Sequence, residues 1–463
     1  MTPEKPEAHP SPELFRNRLD NMLNHRHELY RLADLIDWSL FDAEFGRLYC
    51  PDNGCPAKAT RLMVGLQCLK HVYGVSDEAV VRRWVENPYW QYFCGAVYFE
   101  HQLPIDPSSM TRFRRRIGES GCELILQATV AAGLNSKTIK PAHLKRITVD
   151  TTVQEKAVSF PTDSKLLNRS RQRLVKLCRQ HGVVLRQSYA RKGPQALFKA
   201  NRYGHARQMR RMRSRVKKLN IYLGRVVRDI ERKIANQAEK QAAFAEELVL
   251  AQRLLVQQKQ DKNKLYSLHA PEVECISKGK AHKRYEFGVK ASIATTNKSN
   301  FVVGGMALPG NPFDGHTLTQ ALEQVRWMTG SVIEEAFVDR GYRGHGETQT
   351  TVYISGQKRG IKTQRLKCSL KRREAIEPVI GHLKSDGLLG RNYLKGAQGD
   401  QMNVMLSCAG HNLRLILRQL RIFCLQLWGN LWTVLASASH HDAAASRDTS
   451  ISGIARQPAL NCG

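Results

Sequence analysis

Residues 161–230 carry 20 Lys and Arg against only two acids, Asp163 and Asp229. The block starts just after one strand-like segment and ends well before the next. Any fold must therefore house a cationic, non-strand insertion inside a strand-bearing region. From Met209 the apolar positions Met212, Val216, Leu219, Leu223, Val226 and Ile230 follow at alternating steps of three and four. Three such heptads describe a helix that pairs with another, in cis or across a dimer. With no proline before Gln260, helix is expected to continue that far. Solvated helix faces usually mix charge signs; one sign dominates here, which points to a phosphate-binding arm.

The whole chain shares the bias: 72 Lys and Arg against 41 Asp and Glu leave a net charge of +31 over 463 residues. Such an excess implies a polyanionic partner, nucleic acid first. The length suits about three structural units. An apolar content of 42% excludes a disordered chain, a collagen-like fibre and a small disulfide scaffold. The 11 cysteines are odd in number and scattered, as expected of free thiols in a reducing cytosol. Cys50 and Cys55 are the one close pair, and zinc would need a second pair at comparable spacing. The polar, Pro-rich start is not a signal peptide. The uncharged run 422–439 contains Gln426 and Asn430 and follows Arg414, Arg418 and Arg421, so it reads as a packed C-terminal helix rather than a membrane span. A cytoplasmic, nucleoid-associated protein is expected.

Residues 12–140 read as all-helical. Leu62, Leu66, Leu69 and Tyr73 recur at helical spacing, and Ser76 with Asp77 can cap the segment that follows. A short helix near Ser108 presents Arg112, Arg114, Arg115 and Arg116 beside an apolar face of Met110, Phe113 and Ile117. It is either a solvated basic helix or a DNA-contacting one in a helix-turn-helix-like arrangement. Near residue 141 the pattern changes to strands. Ile147, Val149, Thr151 and Val153 alternate with Thr148, Asp150 and Thr152. YEFGVKASIAT and FVVGGMAL follow as strands, then a helix over 316–328, strands at 333–339 and TTVYIS, and a helix from about Lys371 to Ser385 kinked at Pro378. This is a mixed α/β layout.

Three acids stand out by position. Asp150 points away from the apolar face of its strand, and Asp339 ends a buried strand, where open α/β sheets place their ligand crevices. Glu377 shares a helical stripe with Arg373 and Lys384. An acid flanked by bases suits metal binding beside phosphate, and hard carboxylates suit Mg²⁺ or Mn²⁺. Taken singly, each has a plainer reading: a surface ion pair for Arg373–Glu377, a turn former for Asp339. Lys283, Arg284, Lys290, Arg340 and Arg343 are candidate phosphate contacts, and Asp314, His316, His345 and His382 candidate neighbours of the acids.

The order Asp150, Asp339 in FVDRGYRGH and Glu377 in RREAIEPVIGHLK resembles the DDE transposases of bacterial insertion sequences, most closely the insertion-sequence five group. The likeness runs from about Arg16 to Leu427 and includes ITVDTTVQEKAVSFPTD, GNPFDGHTL and GDQMNVMLSCAGHNLRLIL. Arg373-x3-Glu377-x6-Lys384 matches most of the family's Tyr-x2-Arg-x3-Glu-x6-Lys motif, with Leu370 at the Tyr position. The resemblance implies a ribonuclease-H-like core over 141–164 and 266–432. Around it would lie a helical DNA-binding domain (1–140), a basic helical insertion (165–265) and a disordered tail (433–463). It implies that Asp150, Asp339 and Glu377 hold catalytic Mg²⁺ or Mn²⁺. DNA would be held by Arg373, Lys384, Arg340, Arg343, Lys290, Arg112, Arg114 and Arg115. The expected activity is cleavage at terminal inverted repeats of double-stranded DNA and joining of 3′-hydroxyl ends to target DNA, by a homodimer. Two rivals are a catalytically inactive DNA-binding relic or regulator, and a structural or RNA-binding coiled-coil protein built around 165–260.

Overall fold

The computed structural model describes residues 17–50, 53, 56–277, 284–357, 360–361 and 363–448, with side chains as far as residue 422. Eight helices come first: α1 (Leu19–Met22), α2 (Glu28–Leu35), α3 (Ser39–Gly46), α4 (Thr60–Tyr73), α5 (Asp77–Glu86), α6 (Pro88–Phe93), α7 (Ser108–Asn135) and α8 (Pro141–Leu144). Their ends follow local chemistry. The Ser76 side chain accepts from the Ala79 amide to cap α5, and Asn87 accepts from Trp90 ahead of Pro88 to cap α6. The expected short basic helix is the first part of α7. It breaks at Gly118, whose φ of 63° and ψ of −158° suit glycine alone, and helix then resumes to Asn135.

β1 (Arg146–Glu155) opens the sheet. Four helices then intervene, α9 (Asp163–Gln180), α10 (Lys192–His205), α11 (Met209–Ile234) and α12 (Ala238–Val256). β2 (Glu274–Ser277), β3 (Tyr285–Thr296), β4 (Val302–Leu308), α13 (Asp314–Thr329), β5 (Glu335–Val338), β6 (Thr351–Ile354), α14 (Gln364–Arg372), α15 (Ile376–Ser385) and α16 (Gly396–Asp448) complete the chain. β1 pairs antiparallel with β3 and parallel with β5, which pairs parallel with β6; β2 and β4 share the far edge of β3. The result is a mixed α/β architecture. Among the described residues, the short β2 and the helix α14 were absent from the sequence reading, which began a helix only at about Lys371.

Helices cover both faces of the sheet. A Cβ at Gly304 would come within 2.9 Å of Val325 on α13, and one at Gly305 within 2.8 Å of Cys408 on α16. Successive strand residues face opposite ways, so the Gly-Gly of β4 lets a helix approach closely on each side. The buried Asn412 of α16 accepts from the Val302 amide (2.9 Å) and donates to the Val302 carbonyl (2.8 Å) and Thr129 Oγ1 (3.0 Å). Through it α16 is tied to β4 and α7. The N-terminal helices, the sheet and α16 share one apolar core, and α9–α12 enclose a second of their own.

The heptad face of α11 packs within that second core: Leu219, Leu223, Val226 and Ile230 are buried, whereas Met209 is exposed. Its neighbours are α9, α10 and α12 of the same chain. The expected helix to Gln260 breaks after Ile234 instead. Gln241 Nε2 donates to the carbonyls of Ile234 (3.1 Å) and Ala235 (2.6 Å), so the chain turns without a proline. A second correction concerns Pro378. It sits in the first turn of α15, where a missing amide costs nothing. The break falls earlier, at a 3₁₀ turn over Arg373–Ala375. Third, α16 continues through Asp448, across part of the stretch read as a disordered tail; residues 449–463 lie outside the described residues. No helix among the described residues is long and apolar enough to cross a membrane. The eight cysteines whose side chains are described are free, and Cys55 lies outside the described residues.

Candidate functional site

Adjacent parallel strands bring two of the three acids together. The register pairs Val149 of β1 with Val338 of β5, so Asp150 and Asp339, each one residue further on, are backbone neighbours at the same end of the sheet. In-register residues of parallel strands share a face, with strands about 4.8 Å apart. Asp339 is exposed and its carboxylate accepts from the Arg340 amide at 2.6 Å. Asp150 is half-buried and accepts from the Thr151 amide at 2.7 Å.

The third acid approaches through an arginine. Glu377 lies in the first turn of α15 with 68% of its side chain exposed, whereas the Arg373 side chain is 8% exposed. Arg373 Nη1 is 3.9 Å from Asp150 and Nη2 is 3.9 Å from Glu377. Its Nε is buried with no hydrogen-bond partner. The guanidinium therefore bridges the two carboxylates. Among the described residues, no three His, Cys, Asp or Glu side chains converge closely enough to hold a metal ion. Asp150 and Asp339 offer the hard oxygen donors that Mg²⁺ prefers; Glu377, with Arg373 in the gap, does not complete a three-carboxylate cage in this arrangement.

Around the aspartate pair the structure places Tyr342 and Ser292, which the sequence reading did not single out, beside Asp314 and Lys290, which it did. Tyr342, from the RGYRG turn, is 1% exposed. Burial first, and then the charges of Asp150, Asp314 and Asp339, push its phenol well above the usual tyrosine value. It therefore stays neutral among three carboxylates. Its hydroxyl and the buried Ser292 hydroxyl face each other, and neither has a partner of ordinary hydrogen-bond geometry. Asp314, opening α13, accepts from Thr151 Oγ1 (3.0 Å) and Lys290 Nζ (3.1 Å). Lys290 also donates to the Pro312 carbonyl at 2.6 Å, so this expected phosphate contact is occupied within the protein.

The other candidates scatter. Arg340 and Arg343 are exposed beside Asp339, and Lys384 is half-buried on α15. His382 turns to Asp386 at 2.9 Å rather than toward the aspartates, while His316 is exposed beside Phe313. His345 is half-buried. Arg284 is exposed, and Lys283 lies outside the described residues. In α7, Arg112 and Arg115 are exposed and Arg116 stacks over Tyr49 at 4.3 Å.

Arg114 needs correction as a DNA contact. It is 2% exposed, pairs bidentately with Asp77 (2.9 and 2.5 Å) and reaches Gln67 at 3.2 Å. Helical spacing turns it inward beside Phe113, where only a partnered guanidinium is tolerated. Burial alone would raise the Asp77 carboxyl, but hydrogen bonds and charge from Arg114 and Lys70 outweigh it and hold the group at about 2.

Comparison with known proteins is consistent with a mobile-element origin for the helical region. The family described as "Transposase domain (DUF772)" matches residues 17–116, from the start of α1 into α7. The "Uncharacterized protein ORF8 in nfe locus" of Rhizobium meliloti is 53% identical over 208 residues, 45% of this chain and the whole of that protein. No solved structure matches. With the whole of the Rhizobium meliloti protein covered at that identity, the chain belongs to the same family as that protein, and its helical region carries the transposase-domain match.

Proposed function

We propose that the chain is a DNA transposase of the DDE type with a ribonuclease-H-like core. It would cleave phosphodiesters at the ends of an insertion element and join the freed 3′-hydroxyls to target DNA. The observation that carries this reading is the adjacency of Asp150 and Asp339 on neighbouring parallel strands, with Arg373 linking Asp150 to Glu377. The transposase-domain match supports it independently. So does the sheet, in which antiparallel strands meet a parallel pair at β1. Assignment to the insertion-sequence five group rests on the resemblance of the motifs.

Asp150, Asp339 and Glu377 are the residues proposed to hold Mg²⁺ or Mn²⁺. Two such ions would activate the attacking oxygen and stabilise the leaving one. The chain's own contribution is positional. Tyr342 supplies a neutral wall beside the aspartates, and Arg373 offers a phosphate the N–H groups left without short partners. The exposed Arg340 and Arg343 would take neighbouring phosphates. DNA would be gripped by Arg112, Arg115 and the basic helices α9–α11, in a protein acting as a homodimer in the cytoplasm.

The three alanine substitutions at Asp150, Asp339 and Glu377 test the reading on end-containing duplex with Mg²⁺ or Mn²⁺. Cleavage should vanish in each while binding persists. Mg²⁺-dependent cleavage retained by Glu377→Ala would remove Glu377 from the set. One observation favours a second reading, a DNA-binding protein without cleavage activity: Arg373 occupies the gap that a third carboxylate ligand needs. An unaltered protein that binds end DNA but never nicks it, with either metal, selects that alternative.

A further inference from the structure

A cleft of about 560 Å³ opens on the side of the sheet that carries Asp150, lined by Lys140, Lys145, Arg146, Lys298, Arg365 and Arg372. Along β1, Arg146, Thr148 and Asp150 alternate onto one face. Arg146 lines the cleft, Thr148 is sealed beneath it, and Asp150 lies beyond. Asn297 Nδ2 donates to Thr148 Oγ1 (3.0 Å) and to the Ser369 carbonyl (3.1 Å). The β3–β4 turn, β1 and α14 are thereby joined into one wall.

The cleft's charge is not balanced internally. Lys145 pairs with Glu334 at 2.7 Å, and Arg146 and Arg365 both turn to Glu335, at 2.8 and 3.9 Å. Two acids against six cations leave four positive charges. His143, at the rim, is held below its ordinary value by burial and then by the charges of Lys298 and Lys140.

Helix α14 has no function in the core. None of its residues is buried, and it carries Arg365, Lys367, Lys371 and Arg372 with no acid. It is moored by Arg372, which donates to the Asn297 carbonyl at 2.7 Å and to that of Lys298. The chain then runs directly into Arg373 at the candidate site. A helix of nine residues spans roughly 13 Å at 1.5 Å per residue, or about four base-pair steps at ~3.4 Å each.

We propose that this cleft, with α14 as its wall, holds the phosphate backbone of the DNA flanking the scissile position and aligns it with Asp150 and Asp339. The proposal rests on the transposase reading and adds to it a binding track built from elements outside the acidic triad and its flanking bases.

The test compares the full-length protein with the double variant Lys298→Gln, Arg365→Gln, both positions being exposed. Duplex binding is followed by fluorescence anisotropy across a salt series. Two lost phosphate contacts should flatten the log–log salt dependence by about 1.8 and weaken binding roughly fifty-fold at 0.1 M salt. A second measurement needs no variant. Cys368 is exposed on the cleft wall, and saturating duplex should slow its alkylation by iodoacetamide, read by peptide mass mapping. An unchanged salt slope together with unprotected Cys368, in a protein that binds and cleaves DNA, overturns the track alone. A wild-type protein that neither binds nor cleaves end DNA overturns the track and the transposase reading together. Equal displacement of duplex by poly-glutamate would show a general acidic-polymer site and also overturn it.

Discussion

The guanidinium of Arg373 stands 3.9 Å from the carboxylate of Asp150, joining a residue on the turn before α15 to one on β1 beside the end of β5. At that distance the pair is an ion pair without a hydrogen bond, leaving donors for an incoming oxygen. Glu377 meets the other end of the same group at 3.9 Å. One cation therefore lies within ion-pair distance of both carboxylates.

Replacing Arg373 by Ala should separate its two influences. If it donates to the reacting phosphate, end cleavage falls by about 10²-fold or more, the size seen when one such donor is lost. With the competing cation gone, Mn²⁺ should bind more tightly, as measured by isothermal titration. Unchanged cleavage would remove Arg373 from any role in positioning substrate.

Arg114 should matter for stability and not for DNA. Arg114→Ala leaves the half-buried Asp77 with Lys70 as its main remaining cation, a loss of roughly 1–3 kcal/mol in denaturant unfolding. The salt slope of DNA binding should not move, whereas Arg112→Ala should lower it by about 1 with stability unchanged. Equal slopes for the wild type and Arg112→Ala would exclude Arg112 as a phosphate contact.

The same ion pair sets an acid limit. Asp77 titrates at about 2 in the folded chain against an ordinary value of 3.8. A depressed carboxyl stabilises above its unfolded value, and that stability is lost as pH falls toward the folded one. About 2 kcal/mol should therefore disappear between pH 4 and pH 2. Asp77→Asn should be less stable at neutral pH and lack this component of the acid loss, as followed by urea unfolding at several pH values.

Tyr342→Phe should cost little, because the hydroxyl it removes has no hydrogen bond of ordinary geometry. A stability change within about 1 kcal/mol is expected, with cleavage retained. A large loss of cleavage at unchanged stability would instead give the phenol a direct part in the chemistry.

Asn412→Ala should be far more damaging, since it strands both the amide and the carbonyl of Val302 in a dry interior. Each unpaired group costs about 1–3 kcal/mol, so thermal unfolding should show a loss of roughly 2–5 kcal/mol.

Much of the secondary structure was legible from short spacing. The Ser76 cap, the strand alternation through Asp150 and the apolar face of Met110, Phe113 and Ile117 are nearest-neighbour properties, and each reappears in the structure. Arg114 was misread because a cationic side chain inside a run of arginines looks like its neighbours until Asp77, 37 residues away, is seen to face it. The end of α11 and the turn at Arg373 were missed because no proline or glycine marks them. Side-chain capping by Gln241 and packing of α14 and α15 against different surfaces set those breaks.

Residue order alone was enough to establish a basic, mixed α/β chain with a cationic helical insertion, and to single out Asp150, Asp339 and Glu377. Periodicity and charge are properties of the chain itself. Which of those acids lie side by side was decided by the parallel register of β1 and β5, while Glu377 stands apart beyond Arg373. Strand pairing and side-chain burial are choices among distant partners, made by how all the apolar surfaces pack at once.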